Sequence, residues 1–217
     1  MRSRRLGFVS VVVCGALLAA LLAAVGSPTL AVAGPLFYER QWTVFNSGTS
    51  RGIAVSATGF VYVVNQQENR VERRDLDGNY LSQFGTLGAA NGQFSSPTGI
   101  AVAADGSLYV ADTGNNRIQR FDAGGTFVAK WGTAGTGSGQ FDQPQGVALD
   151  PSGNVYVTDT GNNRVQKFTS SGAYRTKWGI LGTGSGRFDA PAGIAVSADR
   201  KVYVVDTGNS RVQQFTG

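Results

Sequence analysis

The chain has 217 residues, with 19 Lys and Arg, 14 Asp and Glu, one Cys and no His. Without His and with a single Cys, it excludes a Ser-His-Asp triad and zinc or copper sites made of imidazoles or several thiolates. Three of its basic residues lie in the first 33 positions, so 16 basic and 14 acidic residues remain beyond them. The net charge beyond position 33 is therefore 16 − 14, or +2. A net charge this small does not indicate a surface that binds nucleic acid, and no nucleic-acid partner is expected.

The N-terminal segment differs in composition from the rest of the chain. Three arginines within the first five residues precede an uncharged, largely apolar stretch, 6–25, and the tripeptide Ala31-Val32-Ala33 follows. This pattern predicts a secretory signal peptide over 1–33. The alternative is an uncleaved membrane anchor, because about 20 apolar residues can span a bilayer. Either interpretation predicts that 34–217 form an exported domain. If the segment is cleaved, we expect this domain to be secreted, periplasmic or on the cell surface, without membrane insertion; if it is not cleaved, we expect the domain to be anchored to the membrane.

The rest of the chain consists of a repeat of 47 residues. Four segments that read "GIAV" or "GVAL" begin at Gly52, Gly99, Gly146 and Gly193. Self-similarity at a fixed period is the signature of a repeat architecture, in which each unit packs against its neighbours.

Four short strands are predicted in the unit that begins at Gly99. In chain order they are the apolar run "GIAV" (99–102), "SLYVAD" (107–112), "RIQRF" (117–121) and "TFVAKW" (126–131). A Gly-rich loop, "GTAGTGSGQFDQP", then leads to the next unit. Repeated antiparallel four-stranded units of this length predict an all-β fold, a β-propeller with four blades by repeat count. A solenoid is the alternative.

The two ends of the repeat region are expected to complete one blade together. The last unit ends after its third strand, "RVQQF", and the segment "YERQW" (38–42) matches "YRTKW" (174–178) in its Tyr and Trp. We therefore expect the mature N-terminal strand to close the last blade and protect its sheet edge. A homo-oligomer is expected if four blades do not close alone.

The sequence "GIAVAADGSLYVADTGNNRIQRFDAGG" (99–125) resembles the NHL repeat, and the resemblance extends over essentially all of the chain after residue 33. It implies an exported NHL-repeat β-propeller protein of bacterial type. Some members of this family bind proteins, some bind RNA and some are sensor ectodomains, and some similar propellers are metal-dependent lyases or lactonases. The resemblance therefore implies the fold but does not specify the activity.

The motif "DTGNNR" places an Asp and an Arg at the two ends of a four-residue loop. Such a pair across a hairpin fixes register and contributes about 0.2–1 kcal/mol, and Gly and Asn tolerate the left-handed backbone of the loop. The pairs are Asp112 with Arg117, Asp159 with Arg164, and Asp206 with Arg211. Because the motif recurs from blade to blade, a structural role is favoured over a catalytic one. The alternative is a calcium ion bound by Asp112, Asp159 and Asp206; no other cofactor is indicated.

Three phenylalanines recur in the Gly-rich loops that link the blades: Phe94, Phe141 and Phe188. Exposed aromatic side chains could bind a ligand, but their repetition favours packing in the interior.

Function is expected where the repeats differ, and the first unit diverges most. Its hairpin reads "NQQENRVERRD" (65–75) and is the most charged part of the repeat region. We interpret it as a candidate ligand-binding patch, as opposed to a merely solvated hairpin. Its members are Asn65, Glu68, Glu72, Arg73 and Arg74.

The sequence thus predicts an exported scaffold that binds a protein or another cell-envelope ligand through its loop face, without catalysis. The alternative is a lyase or hydrolase that uses a calcium-type ion on the same face. The absence of His disfavours the enzyme, because general acid–base catalysis would depend on Asp, Glu, Lys or Tyr.

Overall fold

The computed structural model describes Gln41 and residues 49–216. The chain divides into two compact units, Met1–Trp42 and Thr43–Gly217. Of the first unit only Gln41 is described, so the predicted signal peptide or anchor lies outside the described residues. Within the described part, no helix combines the length and the apolar character needed to cross a membrane.

The described part of the second unit consists of four antiparallel sheets, and each sheet is one blade. The first blade contains β1 (Ser50–Val55), β2 (Phe60–Asn65), β3 (Arg70–Asp75) and β4 (Tyr80–Phe84). The second contains β5 (Ile100–Val102), β6 (Leu108–Asp112), β7 (Arg117–Phe121) and β8 (Phe127–Trp131). The third contains β9 (Pro144–Leu149), β10 (Val155–Asp159), β11 (Arg164–Phe168) and β12 (Tyr174–Trp178). The fourth contains β13 (Pro191–Val196), β14 (Lys201–Asp206) and β15 (Arg211–Thr216).

The fold is the predicted all-β, four-bladed β-propeller. Each strand predicted in the repeat that begins at Gly99 is present within one residue of its expected bounds. Helical structure in the described part is limited to two short 3-10 turns, Thr113–Asn115 and Thr207–Asn209. The described sheet of the fourth blade has the order β13-β14-β15, which leaves β15 at its edge. The segment 38–42, predicted to add a strand there, lies outside the described residues apart from Gln41.

Side chains alternate between the two faces of each blade, and both faces of an internal blade are buried. We call the face that packs against the next blade in chain order the forward face, and the opposite one the backward face. On the forward face of the first blade, Tyr62, Val64 and Val71 form one core cluster with Ile100 and the other backward-face residues of the second blade. Equivalent clusters lie between the second and third blades and between the third and fourth. The apolar core is therefore divided among the gaps between blades.

Three recurring contacts hold consecutive blades together. The Tyr62 hydroxyl donates to the Ala123 carbonyl at 2.9 Å, and the Tyr109 hydroxyl donates to the Ser170 carbonyl at 3.1 Å. The second contact is made by Thr113 and Thr160, which donate to the carbonyls of Pro144 and Pro191, both at 2.7 Å.

The third contact is a close approach of backbones at the first strand of each blade. A Cβ added to Gly99 would collide with the Gln145 carbonyl oxygen, and one added to Gly146 would collide with that of Ala192. The repeated Gly is therefore required by the spacing between blades, because no larger residue leaves room for the neighbouring chain.

The linking-loop phenylalanines are buried, as predicted. Phe94, Phe141 and Phe188 have no exposed area. Phe94 packs against Phe121 with ring centroids 5.5 Å apart, and Phe141 packs against Phe168 at 5.6 Å. These side chains belong to the core and are unable to meet a ligand at the surface.

Candidate functional site

The loops between the second and third strands of the blades share one face of the propeller with the loops that link consecutive blades. Asn115, in the 113–116 loop, donates to the Gly88 carbonyl at 2.8 Å, and Asn162 donates to the Gly135 carbonyl at 2.9 Å. Each hairpin loop is thus hydrogen-bonded to the linking loop before its own blade. We call the surface made by these two sets of loops the loop face.

Asp112 is the centre of a buried polar network beneath the loop face. It pairs in register with Arg117 across the β6–β7 hairpin, as predicted, and accepts a hydrogen bond from the Arg117 Nε at 2.6 Å. The same carboxylate accepts bonds from the backbone N–H of Ser95 at 2.7 Å and from the side chains of Asn115 and Gln119. With no exposed area, this carboxylate depends on these donors for its solvation.

Arg117 extends the network to the preceding linking loop. Its terminal nitrogens donate to the carbonyls of Ala89, Ala90 and Gln93 at 2.6 to 2.9 Å. The sequence predicted a pair that fixes hairpin register; the structure adds that the guanidinium anchors the loop between two blades. The planar, five-donor guanidinium suits this role, because it can bind one carboxylate and several carbonyls at once.

The same network recurs in the next two blades. Arg164 Nε lies 2.6 Å from an Asp159 carboxylate oxygen, and Arg211 Nε lies 2.7 Å from one of Asp206. Burial raises the pKa of Asp206, but hydrogen bonds from the Asp189 N–H and from the side chains of Asn209 and Arg211 outweigh burial and lower it overall. The Arg211 side chain is 30% exposed, against 8% for Arg164. The fourth blade is therefore the least covered of the three.

These aspartates do not fit the calcium ion considered from the sequence. Both oxygens of Asp159 accept hydrogen bonds, from the Asp142 N–H, Asn162, Arg164 and Gln166. A cation would have to displace a guanidinium from the same carboxylate. Nor do the described residues contain any group of three or more His, Cys, Asp or Glu able to bind a metal.

The glycine of the hairpin loop has a different role from the one predicted. The left-handed residue is the Asn at the end of the loop, with φ of 51° at Asn116 and 53° at Asn163, whereas Gly114 has no positive φ. Gly114 donates its N–H to the Ser95 carbonyl at 2.8 Å, and a Cβ there would lie 2.5 Å from the Ser95 hydroxyl. It is needed because the loop passes close to the linking chain.

The candidate patch of the first blade is largely buried. Asn65 has no exposed area and accepts a hydrogen bond from the Glu68 N–H at 2.9 Å. Arg74 and Glu72 are 9% and 4% exposed and form an ion pair at 2.7 Å on the backward face. Arg73 points to the forward face, where its guanidinium lies 3.7 Å from the ring centre of Phe60. The structure therefore places Glu72 and Arg74 on one face of the blade and Arg73 on the other, and it buries Asn65.

The loop face carries exposed aliphatic residues that the sequence analysis missed. Leu87 in the first linking loop is 71% exposed, and Ile180 and Leu181 in the third are 57% and 62% exposed. The corresponding residues of the second linking loop are Thr133 and Ala134. A comparison of linking loops, position by position, could have found them.

A groove of about 700 Å³ lies along the edge strand β15. It is lined by Tyr156, Lys167, Trp178, Gln214, Phe215 and neighbouring residues. Lys167 lies 4.8 Å from the ring centre of Tyr156 and 3.8 Å from an Asp150 carboxylate oxygen, so its charge is already balanced inside the third blade. The groove lies where a fourth strand would complete the fourth blade.

Comparisons with known proteins agree with this architecture. The NHL repeat matches three times, over residues 94–121, 141–168 and 188–215, and no curated protein matches the chain. A streptogramin B lyase structure is similar at 18% identity and a TM-score of 0.58, over 77% of this chain and 54% of that one. A catalytically inactive His-to-Ala variant of virginiamycin B lyase from Staphylococcus aureus, with quinupristin, gives 19% identity and 0.57, over 77% and 55%.

A protein of unknown function from Bacteroides thetaiotaomicron is similar at 18% identity and a TM-score of 0.63, over 78% of this chain and 47% of that one. The chain thus spans about half the length of the solved structures it resembles, and at these identities the likeness concerns the fold. Three matched repeats in blades of the expected topology lead to one assignment: the chain is an NHL-repeat β-propeller protein.

Proposed function

We propose that the protein is an exported, non-catalytic scaffold that binds a protein partner through its loop face. The observation that carries the proposal is the third linking loop, where the neighbouring side chains Ile180 and Leu181 are more than half exposed. Exposed apolar side chains grouped beside polar ones are typical of protein docking surfaces. Arg187 lies in the same loop and donates to the Leu181 carbonyl at 3.4 Å, which places a cation beside the two aliphatic side chains.

The position of these residues supports binding better than folding as the reason for their presence. The second linking loop keeps the same backbone bridge with Ala134 that the third makes with Leu181. A large side chain is therefore not needed to form the loop. The exposed Leu181 side chain leaves apolar area in water. Each Å² of this area that a partner covers would contribute about 25 cal/mol to the free energy of binding.

The enzymatic alternative finds little support in the residues of this chain. Two of the similar structures are lyases, and one is a variant described as inactive after a His was replaced. This chain has no His at all, and its repeated aspartates are already paired with arginines. We therefore favour binding over lyase or hydrolase activity. Export is supported by the N-terminal sequence, in which arginines precede an apolar stretch and an A-x-A tripeptide.

The binding proposal can be tested with a displayed library of random peptides selected against the immobilised protein. We expect selected peptides to lose at least tenfold in affinity for the Leu181→Ser variant, because their apolar anchor loses its contact. Leu81→Ser is the matched control, since Leu81 is 45% exposed but lies on the outer strand β4. Equal loss in both variants, or peptides that bind both as well as the unaltered protein, would contradict the proposal.

The enzymatic alternative has its own measurement, thermal unfolding with calcium and then with EDTA. We expect the unfolding temperature to stay unchanged, because the Asp112 and Asp159 carboxylates are saturated by donors. A rise with calcium that EDTA reverses would favour the metal-dependent enzyme.

A further inference from the structure

A glutamine side chain closes each of the first two linking loops by accepting a backbone hydrogen bond inside the loop. The Gln93 Oε1 accepts from the Ala90 N–H at 3.1 Å, and the Gln140 Oε1 accepts from the Gly137 N–H at 2.9 Å. The residue at the same repeat position of the third linking loop is Arg187. A guanidinium has N–H donors and no acceptor, so Arg187 is unable to accept this bond.

The equivalent backbone donor of the third loop is the Gly184 N–H. Within the described part of the chain it donates to no acceptor, and both Gly184 and Arg187 are exposed. A Cβ built on Gly184 would lie 3.6 Å from the Arg187 Cδ and 4.0 Å from its Nε, so the arginine side chain runs beside this N–H. A backbone donor and a cation therefore lie together where the other two loops have an amide oxygen.

The peptide group between Thr183 and Gly184 is held from its other side by the fourth blade. Its carbonyl accepts from the Arg211 Nη1 at 2.6 Å. In a trans peptide the N–H points opposite to the C=O, so the Gly184 N–H is directed away from Arg211. The bond to the carbonyl also strengthens the N–H as a donor, because hydrogen bonds in a chain polarise one another. The donor is thus oriented before a ligand binds.

The charge of Arg187 is not balanced by a carboxylate of the described residues. Arg187 forms no ion pair among them, and its hydrogen bond to the Leu181 carbonyl is long, at 3.4 Å. The other donors of its exposed guanidinium are left to water. A carboxylate suits such a group, because its two oxygens are planar and accept several N–H donors at once.

We propose that the third linking loop binds an acidic side chain of the protein partner, whose carboxylate accepts hydrogen bonds from the Gly184 N–H and the Arg187 guanidinium. The inference rests on the proposed function and adds the chemistry of the partner, which is an Asp or Glu close to an apolar residue that covers Ile180 and Leu181. One carboxylate oxygen takes the place that the glutamine Oε1 has in the other two loops.

The first linking loop shows why an exposed aliphatic residue is not enough for this selectivity. Leu87 is 71% exposed, but the Ala90 N–H beside it is already bound by Gln93. An acidic side chain of a partner would find neither a cation at residue 93 nor an available N–H at residue 90. The preference for a carboxylate is therefore specific to the third loop.

The variant Arg187→Gln tests the proposal, because it introduces the glutamine that the other two loops contain and should fold and close the loop in the same way. Peptides selected against the unaltered protein are synthesised with their acidic residue and with the corresponding amide. We expect the unaltered protein to bind the acidic form roughly tenfold more tightly, and Arg187→Gln to bind both forms equally. Arg175→Gln is the control, since it removes the same charge from an exposed position on β12 and should keep the preference.

Amide NMR of the ¹⁵N-labelled protein locates the carboxylate. We expect the acidic peptide to move the Gly184 N–H resonance downfield, and its amide form to leave that resonance in place. Peptides that lose affinity for Leu181→Ser but bind equally in acidic and amide forms would overturn this inference and leave the proposed function standing. An acidic preference that Arg175→Gln abolishes as well would also overturn it, because the preference would then reflect net charge. An acidic preference lost only in Arg187→Gln, from peptides that Leu181→Ser binds unchanged, would support the carboxylate site and contradict the proposed apolar contact.

Discussion

Arg164 illustrates how one side chain joins a hairpin to the loop before it. Its Nε binds Asp159, and its terminal nitrogens donate to the carbonyls of Thr136 and Gly137 at 2.5 and 2.8 Å. A third acceptor is the Gln140 carbonyl at 2.9 Å. Since the side chain is only 8% exposed, water is unable to replace these partners if the guanidinium is removed.

We expect Arg164→Ala to lower the free energy of unfolding by about 3–5 kcal/mol, because it leaves the buried Asp159 carboxylate without its charge partner. Urea denaturation followed by circular dichroism measures the change. Arg175→Ala is the control, since Arg175 is exposed on β12, and its effect should stay within about 0.5 kcal/mol. Similar losses in both variants would show that the network does not stabilise the blade.

The sequence predicted the Asp–Arg pairs but not the hydrogen bonds that the arginines donate to the linking loops. The pairing follows from residue types at the two ends of a hairpin, which a sequence displays directly. The acceptors of Arg117 in the linking loop are backbone carbonyls, and these are the same for any residue, so they leave no signature. The burial of Glu72 and Arg74 was not predicted either, since the charge of this hairpin suggested a patch that binds a ligand at the surface.

In each of the first three blades, a glycine in the first strand or just before it has its backbone close to the next blade. Any Cβ at Gly99 would meet the Gln145 carbonyl oxygen, the Val147 nitrogen at 3.1 Å and the Gly146 α-carbon at 3.2 Å. All three atoms belong to the neighbouring strand and are unable to rotate away as a side chain could. The position therefore determines how closely two blades approach.

We expect Gly99→Ala to lower the free energy of unfolding by about 1–3 kcal/mol, the usual cost of overpacking a filled interior. Thermal unfolding of this variant and of Gly124→Ala provides the comparison, because Gly124 lies in an exposed turn. An alanine at residue 99 that proved as harmless as one at residue 124 would mean that the blades separate at little cost.

Strands were the most predictable elements, for a physical reason. Runs of β-branched and aromatic residues bounded by Gly, Asn and Asp specify both the strand and its ends, and the 47-residue period repeats that signal. What the repeat could not specify is the angle between blades, which depends on side-chain packing in the gaps. Val212 occupies the same repeat position as the buried Val71 and Val165, so its exposure on the fourth blade was not predicted.

Over the whole molecule, acidic side chains serve mainly as hydrogen-bond acceptors in turns and networks. Hydrogen bonding from Asn79 holds the pKa of Asp75 low. The pKa of Asp150 is raised by burial but lowered overall by hydrogen bonds from Asn154, Tyr156 and Ser152. Other carboxyls whose pKa is lowered are those of Asp105, Asp122, Asp199 and Asp206.

These lowered pKa values predict how stability depends on pH. A carboxyl group with a pKa lower in the folded than in the unfolded chain contributes stability that is full above the unfolded value, 3.8, and is lost as the pH falls through the folded value. We expect the unfolding temperature to be constant from about pH 7 to 5 and to fall steeply below about pH 4. Asp150→Asn should show a weaker fall. A stability that declined with rising pH between 5 and 7 would contradict this assignment.

The arginine network has a consequence for how such a chain gains or loses blades. Each linking loop is anchored by an arginine of the blade that follows it. The structural unit of the repeat is therefore a linking loop together with the sheet after it, such as residues 85–131 or 132–178. Deletion or duplication of such a unit keeps each arginine in the same segment as the loop carbonyls that it binds. A boundary just before Gly99 or Gly146 would instead separate the arginine from those carbonyls. We therefore expect genetic changes in blade number to have their breakpoints just after the outer strand of a blade, because a breakpoint there leaves each loop joined to the sheet that anchors it.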